Sequence, residues 1–533
     1  MEKQKLRSEI DDKYKWDLSS IYSSEEEFLS ELKKLKDDIK KVEKYKDTMM
    51  KSGEDLYNLF KQTDELEMNL EKLFSYAHLH NDEDTSNNTY QKYYGLVINL
   101  NDEYSKISSF ILPELMKYDY KKIEEFYKEY PKLKEYEFVL YDIYRLKKYN
   151  LDENTEKALS SLSKAFDNSE EVYSILTNSD FTFNNIKIGN KEVELTDSNY
   201  SLYMTSKDRN IRKQTFNSMY KTYKKYTNTI SKCLSNTVES NVSLSKLRGY
   251  KNTLNSALFS DNIDENVYNN LIDTVSNNLK PLFDYYDYKK KLLNLDELHI
   301  YDIYTPIIDE EDKTYTFEEA KDLTIKSLNI LGDDYISTLK KAFDERWIDV
   351  YNNKGKRSGA YSSGSYLTKP YLLLNYEGRL HDVSTLVHEL GHSMHTYYST
   401  KNNPYQYHSY KIFVAEVASQ VNELLLANYI LENSKDKEEK ISVLNNLLEL
   451  YKASLFRQTM FAEFEKDIYN AVENGEILTS DYMCNRYYDI NKKYFGNSVV
   501  LDDEIKYEWE RIPHFYYFFY VYNMQLLYVP QHI

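Results

Sequence analysis

Cysteine, glycine and proline are all scarce in this 533-residue chain, and basic charge is outweighed by acidic. The two cysteines, Cys233 and Cys484, can build neither a disulfide framework nor a cysteine-based metal site, and they fit a reducing cytoplasm. Twelve Gly and eight Pro leave few places for tight turns and short strands. What remains is dominated by Lys, Glu, Leu, Asn and Tyr, which favours helix over most of the length. No apolar run approaches the ~18 residues of a membrane-spanning helix. The start, Met1-Glu-Lys-Gln-Lys-Leu-Arg7, has no apolar stretch of a secretory signal. A net charge of −18 argues against nucleic acid, whose phosphates need a basic surface. The expectation is a cytoplasmic protein with neither membrane nor nucleic acid as partner, monomeric or forming a simple oligomer.

Along the chain, residues 1 to about 180 read as long polar helices. Trp16-Asp-Leu-Ser-Ser-Ile-Tyr22 is an apolar anchor near the start, and Leu56, Leu59, Phe60, Leu66, Leu70, Leu73 and Phe74 keep helical spacing. Residues 181–195 alternate apolar and polar around Gly189-Asn190, a small β-hairpin. Arg209 and Arg212 are expected on a solvated face or in ion pairs. The segment 355–364, with Gly355, Gly359 and Gly364, reads as a mobile loop and a candidate lid. Tyr366–Tyr376 reads as a strand, either a plain core strand or an edge strand that pairs with an extended peptide. Gly359, Tyr361 and Tyr371 are candidate substrate or supporting contacts. We divide the chain into an N-terminal helical domain with the hairpin, 1–195, and a catalytic domain, 196–533.

The densest chemistry is His388-Glu389-Leu-Gly-His392, the H-E-x-x-H pattern. In a helix, positions i and i+4 lie one above the other, so both imidazoles can reach one ion, with Zn²⁺ the usual occupant. Glu389 projects to the side, where it can take a proton from water. Asp382 or Ser384 offers an N-cap, and Leu386, Val387, Leu390 and Met394 supply an apolar side. Chance alone would give about 0.02 such patterns in a chain this poor in histidine.

His395 follows at i+7, roughly 10.5 Å further along the axis, which is too far for both to reach one ion comfortably. A carboxylate on another helix is the better third ligand. Phe413-Val-Ala-Glu416-Val-Ala-Ser-Gln420-Val-Asn-Glu423 reads as an apolar helix carrying Glu416, Gln420 and Glu423 on one side. Acids on a helix that apolar call for a partner, and metal-bound histidines are suitable. Glu416 is therefore assigned to the metal, with Gln420 or Glu423 supporting from behind and His395 in an outer position.

Several segments carry a family resemblance: G-K-R-S-G-A-Y-S at 355–362, P-Y-L-L-L-N-Y at 370–376, T-L-V-H-E-L-G-H-S-M-H at 385–395, F-V-A-E-V-A-S at 413–419 and R-I-P-H-F-Y at 511–516. With K-W-D-L-S-S-I-Y at 15–22, the chain resembles the oligoendopeptidase F branch of the thimet-type zinc oligopeptidases over almost its whole length. The resemblance implies an all-α, clam-like fold with a deep active-site channel, a small β-hairpin and a short sheet beside the zinc helix. It implies one Zn²⁺ per chain, Glu416 as third ligand, and cleavage of short unstructured oligopeptides. It also implies a substrate-side group at His514 and the following tyrosines, with Tyr520 and Tyr522 as candidates for assisting at the oxyanion.

The expected activity is a zinc metalloendopeptidase with Glu389 as general base. Its rivals are a zinc carboxypeptidase on a similar helical scaffold and a peptide-binding remnant without turnover. The second rival draws on the tail. After F-Y-V-Y at 519–522 the family continues Lys-Tyr-Ala-Thr-Gly, whereas this chain reads Asn523-Met-Gln-Leu-Leu-Tyr-Val-Pro-Gln-His-Ile533. A one-base shift of a coding string for these residues gives Tyr-Ala-Thr-Ala, so 523–533 are expected to be a frameshift product.

Overall fold

In the computed structural model, residues 5–307 and 313–524 are described. Helix accounts for 72% of the described residues. The 31-residue helix α1 (Gly53–Glu83) begins where the Ser52 hydroxyl accepts from the Asp55 amide at 3.0 Å, a side-chain cap that answers one free N–H. Leu56, Leu59, Phe60, Leu66, Leu70 and Leu73 are all buried along its inner face, as their spacing predicts. Phe74 is not: it is exposed and lies flat on His78, ring centroids 5.3 Å apart. Trp16 anchors the same core, and its indole N–H donates to Glu83 at 2.8 Å.

The chain forms two compact units, each built from two segments: Met1–Lys148 with Asp312–Ser434, and Tyr149–Glu311 with Lys435–Ile533. The division at 195/196 is a cut along the chain, whereas each unit draws on residues far apart in sequence. The second unit holds the hairpin, β1 (Ile186–Ile188) paired antiparallel with β2 (Lys191–Val193). Its two-residue turn places Gly189 at φ +58, which glycine adopts without strain. The 39-residue helix α2 (Arg209–Leu247) follows, and Arg209 and Arg212 both pair with the buried Asp302, at 2.9 and 2.6 Å.

In the first unit, β3 (Ile348–Asp349), β4 (Tyr361–Ser363) and β5 (Tyr371–Leu373) form a sheet in the order β3-β5-β4. β5 is parallel to β3 and antiparallel to β4, so it is the central strand. The edge-strand reading of 366–376 is thereby corrected: β5 is buried between β3 and β4, which are the two edges. The glycine loop before it is tied down. The Asn375 amide donates to the carbonyls of Arg357 and Gly359, and the Thr85 N–H donates to that of Gly355.

Two helices complete the site, α3 (Leu380–Asn402) and α4 (Ile412–Asn433). Neither Asp382 nor Ser384 is the N-cap of α3, which is Arg379. Asp382, in the first turn, instead reaches back and accepts from the amides of Glu377 and Arg379, at 3.0 and 2.9 Å. Among the described residues no helix is long and apolar enough to cross a membrane. Residues 525–533, most of the tail expected to be frameshifted, lie outside the described residues.

Candidate metal centre

α3 places His388 and His392 one turn apart on one face, with their Nε2 atoms 3.2 Å from each other. α4 brings Glu416 against them: its Oε2 lies 3.3 Å from His388 Nε2 and 3.5 Å from His392 Nε2. Among the described residues these three form the one cluster of metal-ligating groups. Ligands about 2.05 Å from a tetrahedral Zn²⁺ stand about 3.3 Å apart, so the donor triangle fits that ion. His395 stacks on Tyr410 with ring centroids 3.7 Å apart and is not in the cluster.

The surroundings orient these donors. His388 donates from Nδ1 to Glu423 Oε1 at 2.6 Å, which fixes its tautomer and turns Nε2 toward the cluster. Of the two supporting candidates it is thus Glu423 that reaches a ligand, while the buried Gln420 Oε1 has no partner. Burial opposes protonation of His388, but the hydrogen bonds to Glu416 and Glu423 outweigh it and push its imidazole up to about 10. For Glu416 burial acts upward, and the hydrogen bonds from the two histidines overcome it and hold the carboxyl well below its usual range. A cation bound there would displace the proton the donors share. Glu389 is buried beside them, and burial raises its pKa against the pull of the two histidines, as suits a base.

The remaining candidates fall elsewhere. Tyr361 on β4 donates to the buried Asp82 at 2.9 Å, and Ser362 bonds Ser393 on α3 at 2.8 Å. Gly359 takes φ +85 in the loop. Tyr371 is a core residue whose hydroxyl donates to the Asp17 carbonyl at 3.0 Å and bonds Ser20. In the second unit, His514 and Tyr520 are half-buried with nearly parallel rings 6.1 Å apart, and burial lowers the pKa of His514. Tyr522 is buried against Tyr268 in that unit's core. Sequence reasoning missed Gly391, Ser419 and Asn422, which join α3 to α4. Their signal lay in the small residues inside two motifs already singled out.

Two histidines a turn apart, a carboxylate from the neighbouring helix and a buried glutamate beside them are the equipment of a metallopeptidase. The comparisons agree. Residues 202–529 match the model of peptidase family M3, and residues 114–183 match that of oligopeptidase F. The chain is 42% identical to Oligopeptidase PepF of Bacillus subtilis over 519 residues, 97% of this chain and 77% of that protein. Its fold matches the crystal structure of a Chlamydophila abortus protein with TM-score 0.91 at 35% identity, covering 98% of this chain and 88% of that one. Oligoendopeptidase-F from Enterococcus faecium matches with TM-score 0.68 at 31% identity, over 94% and 85% of the two chains. The chain belongs to peptidase family M3 and is a metalloendopeptidase.

Proposed function

We propose that this protein is a zinc-dependent endopeptidase that hydrolyses short, unstructured oligopeptides. The observation that carries the reading is the donor triangle of His388, His392 and Glu416, whose edges of 3.2, 3.3 and 3.5 Å suit one tetrahedral Zn²⁺. A zinc ion held there supplies polarisation of the scissile carbonyl and acidifies water. Glu423 keeps His388 in the tautomer whose Nε2 can donate a lone pair. Glu389 takes the proton of the attacking water on its carboxylate and returns it to the leaving amine. The unpaired Cys233 and Cys484 support a cytoplasmic setting.

Metal analysis of the purified protein, with mass spectrometry of products from a mixed peptide library, tests the reading. One zinc per chain and internal cleavage of C-terminally amidated peptides are expected. Cleavage that requires a free C-terminal carboxylate would turn the reading to a carboxypeptidase. Glu416→Ala should lower bound zinc, whereas His395→Ala should leave it stoichiometric. The reverse pattern would overturn the ligand set.

A further inference from the structure

α3 and α4 cross at one point where there is no room for a side chain. A Cβ on Gly391 would lie 2.5 Å from Ser419 Cα and 2.8 Å from both Ser419 N and Ala418 O. These are backbone atoms, so no rotamer change relieves them. Gly391 does not take positive φ, so glycine is needed here for space and not for backbone conformation. In mid-helix that choice carries an intrinsic penalty against alanine, which the close approach must offset.

The residue facing the gap is tied to the ligand. Ser419 is fully buried, and its hydroxyl lies 2.8 Å from the Glu416 carbonyl and 3.1 Å from Glu416 Oε2, the oxygen turned toward the two histidines. One turn on, the buried Asn422 donates to the carbonyl of Val387, the residue before His388. Glu423 accepts from His388 itself. The crossing therefore sets the distance between two ligands on one helix and the third on the other.

We infer that Gly391 and Ser419 are positioning residues that set the metal affinity of this site, Gly391 by letting the helices touch and Ser419 by aiming the Glu416 carboxylate. This rests on the metal reading above. Relieving a 2.5 Å contact to ordinary van der Waals distance needs about 0.9 Å of separation between the helices. Ligand positions in a metal site tolerate only about ±0.2 Å. Neither residue supplies a ligand atom or the general base, so the effect is on affinity and not on proton transfer.

The test is zinc affinity by chelator competition on the full chain, with folding followed by circular dichroism and thermal melts. Gly391→Ala should weaken zinc by roughly 10–100-fold and Ser419→Ala by about 10-fold, the range for groups that orient ligands. Two controls report the same kind of damage away from the metal. Gly53→Ala would put a Cβ 2.9 Å from the Phe126 carbonyl. Ser218→Ala removes a largely buried hydroxyl that donates to the Asn184 carbonyl at 2.7 Å. Both should melt lower and keep wild-type zinc affinity. If Gly391→Ala does not fold, Ser419→Ala decides alone. Folded variants that bind zinc within twofold of wild type, or controls that lose as much affinity, overturn the inference. A wild-type protein that takes up no zinc would instead overturn the metal reading itself.

Discussion

Two buried carboxylates in the second unit lack the cations that answer Asp349, Glu83 and Asp82 in the first, although Asp302 in that same second unit is held by Arg209 and Arg212. In the first, Asp349 receives Arg7 at 2.6 Å and Lys356 at 2.7 Å, and Glu83 receives Arg7 and the Trp16 indole. Asp82 gathers Tyr361, Arg357 and His78. In the second unit, Glu510 is fully buried and neither carboxylate oxygen has a partner of ordinary geometry. Glu465, also fully buried, accepts only from the Phe519 amide, through one oxygen. An answered carboxylate stays ionised and fixes its neighbours. An unanswered one is driven to hold its proton, which ties the stability of the fold to pH.

The largest effect should come from breaking an answered group. Asp349→Ala leaves Arg7 and the buried Lys356 without their shared anion, although Lys356 still donates to the Tyr351 carbonyl at 2.8 Å. Removing one partner of a buried pair costs about 3–5 kcal/mol. Urea unfolding of the variant should show a loss in that range. A loss under about 1 kcal/mol would mean that the cluster behaves like a surface pair.

Glu389 sits between these cases, since burial lifts its pKa and the two histidines pull it down. Glu389→Gln keeps the shape and removes the base. Turnover should fall at least ~10²-fold, while bound zinc is unchanged. A zinc-loaded variant with near-normal turnover would sink the mechanism.

The site's identity was legible because H-E-x-x-H is local and its spacing forces both rings onto one helix face. Glu416 could be read for a different reason, an acid in a helix too apolar for solvent. The seam that joins them was not legible. Gly391 and Ser419 are 28 positions apart, and only the packed helices show that they touch. The same holds for Phe74, which obeys the helical period yet faces outward, and for β5, whose two pairings follow from chain segments that sequence spacing does not relate. The compact units could not be read either, because each is assembled from segments far apart along the chain.

The effect that most sharpens the comparison concerns Glu510. Burial pushes its carboxyl up to about 9, against the opposing pull of Thr227. The folded chain therefore keeps this proton between the carboxyl's ordinary value of about 4.3 and pH about 9, while the unfolded chain releases it. With more protons bound in the folded state, stability falls as pH rises through that window. One such group contributes a slope of at most about 1.4 kcal/mol per pH unit. Glu510→Gln keeps a neutral side chain of the same shape at every pH, so its unfolding midpoint should decline less steeply than that of the wild type from pH 5 to 8. Glu465, whose pKa burial likewise raises, leaves part of the slope in place. Wild-type and variant midpoints that run parallel across this range would show that Glu510 is ionised in the fold and finds a partner there. The contrast between the two units would then not hold for it.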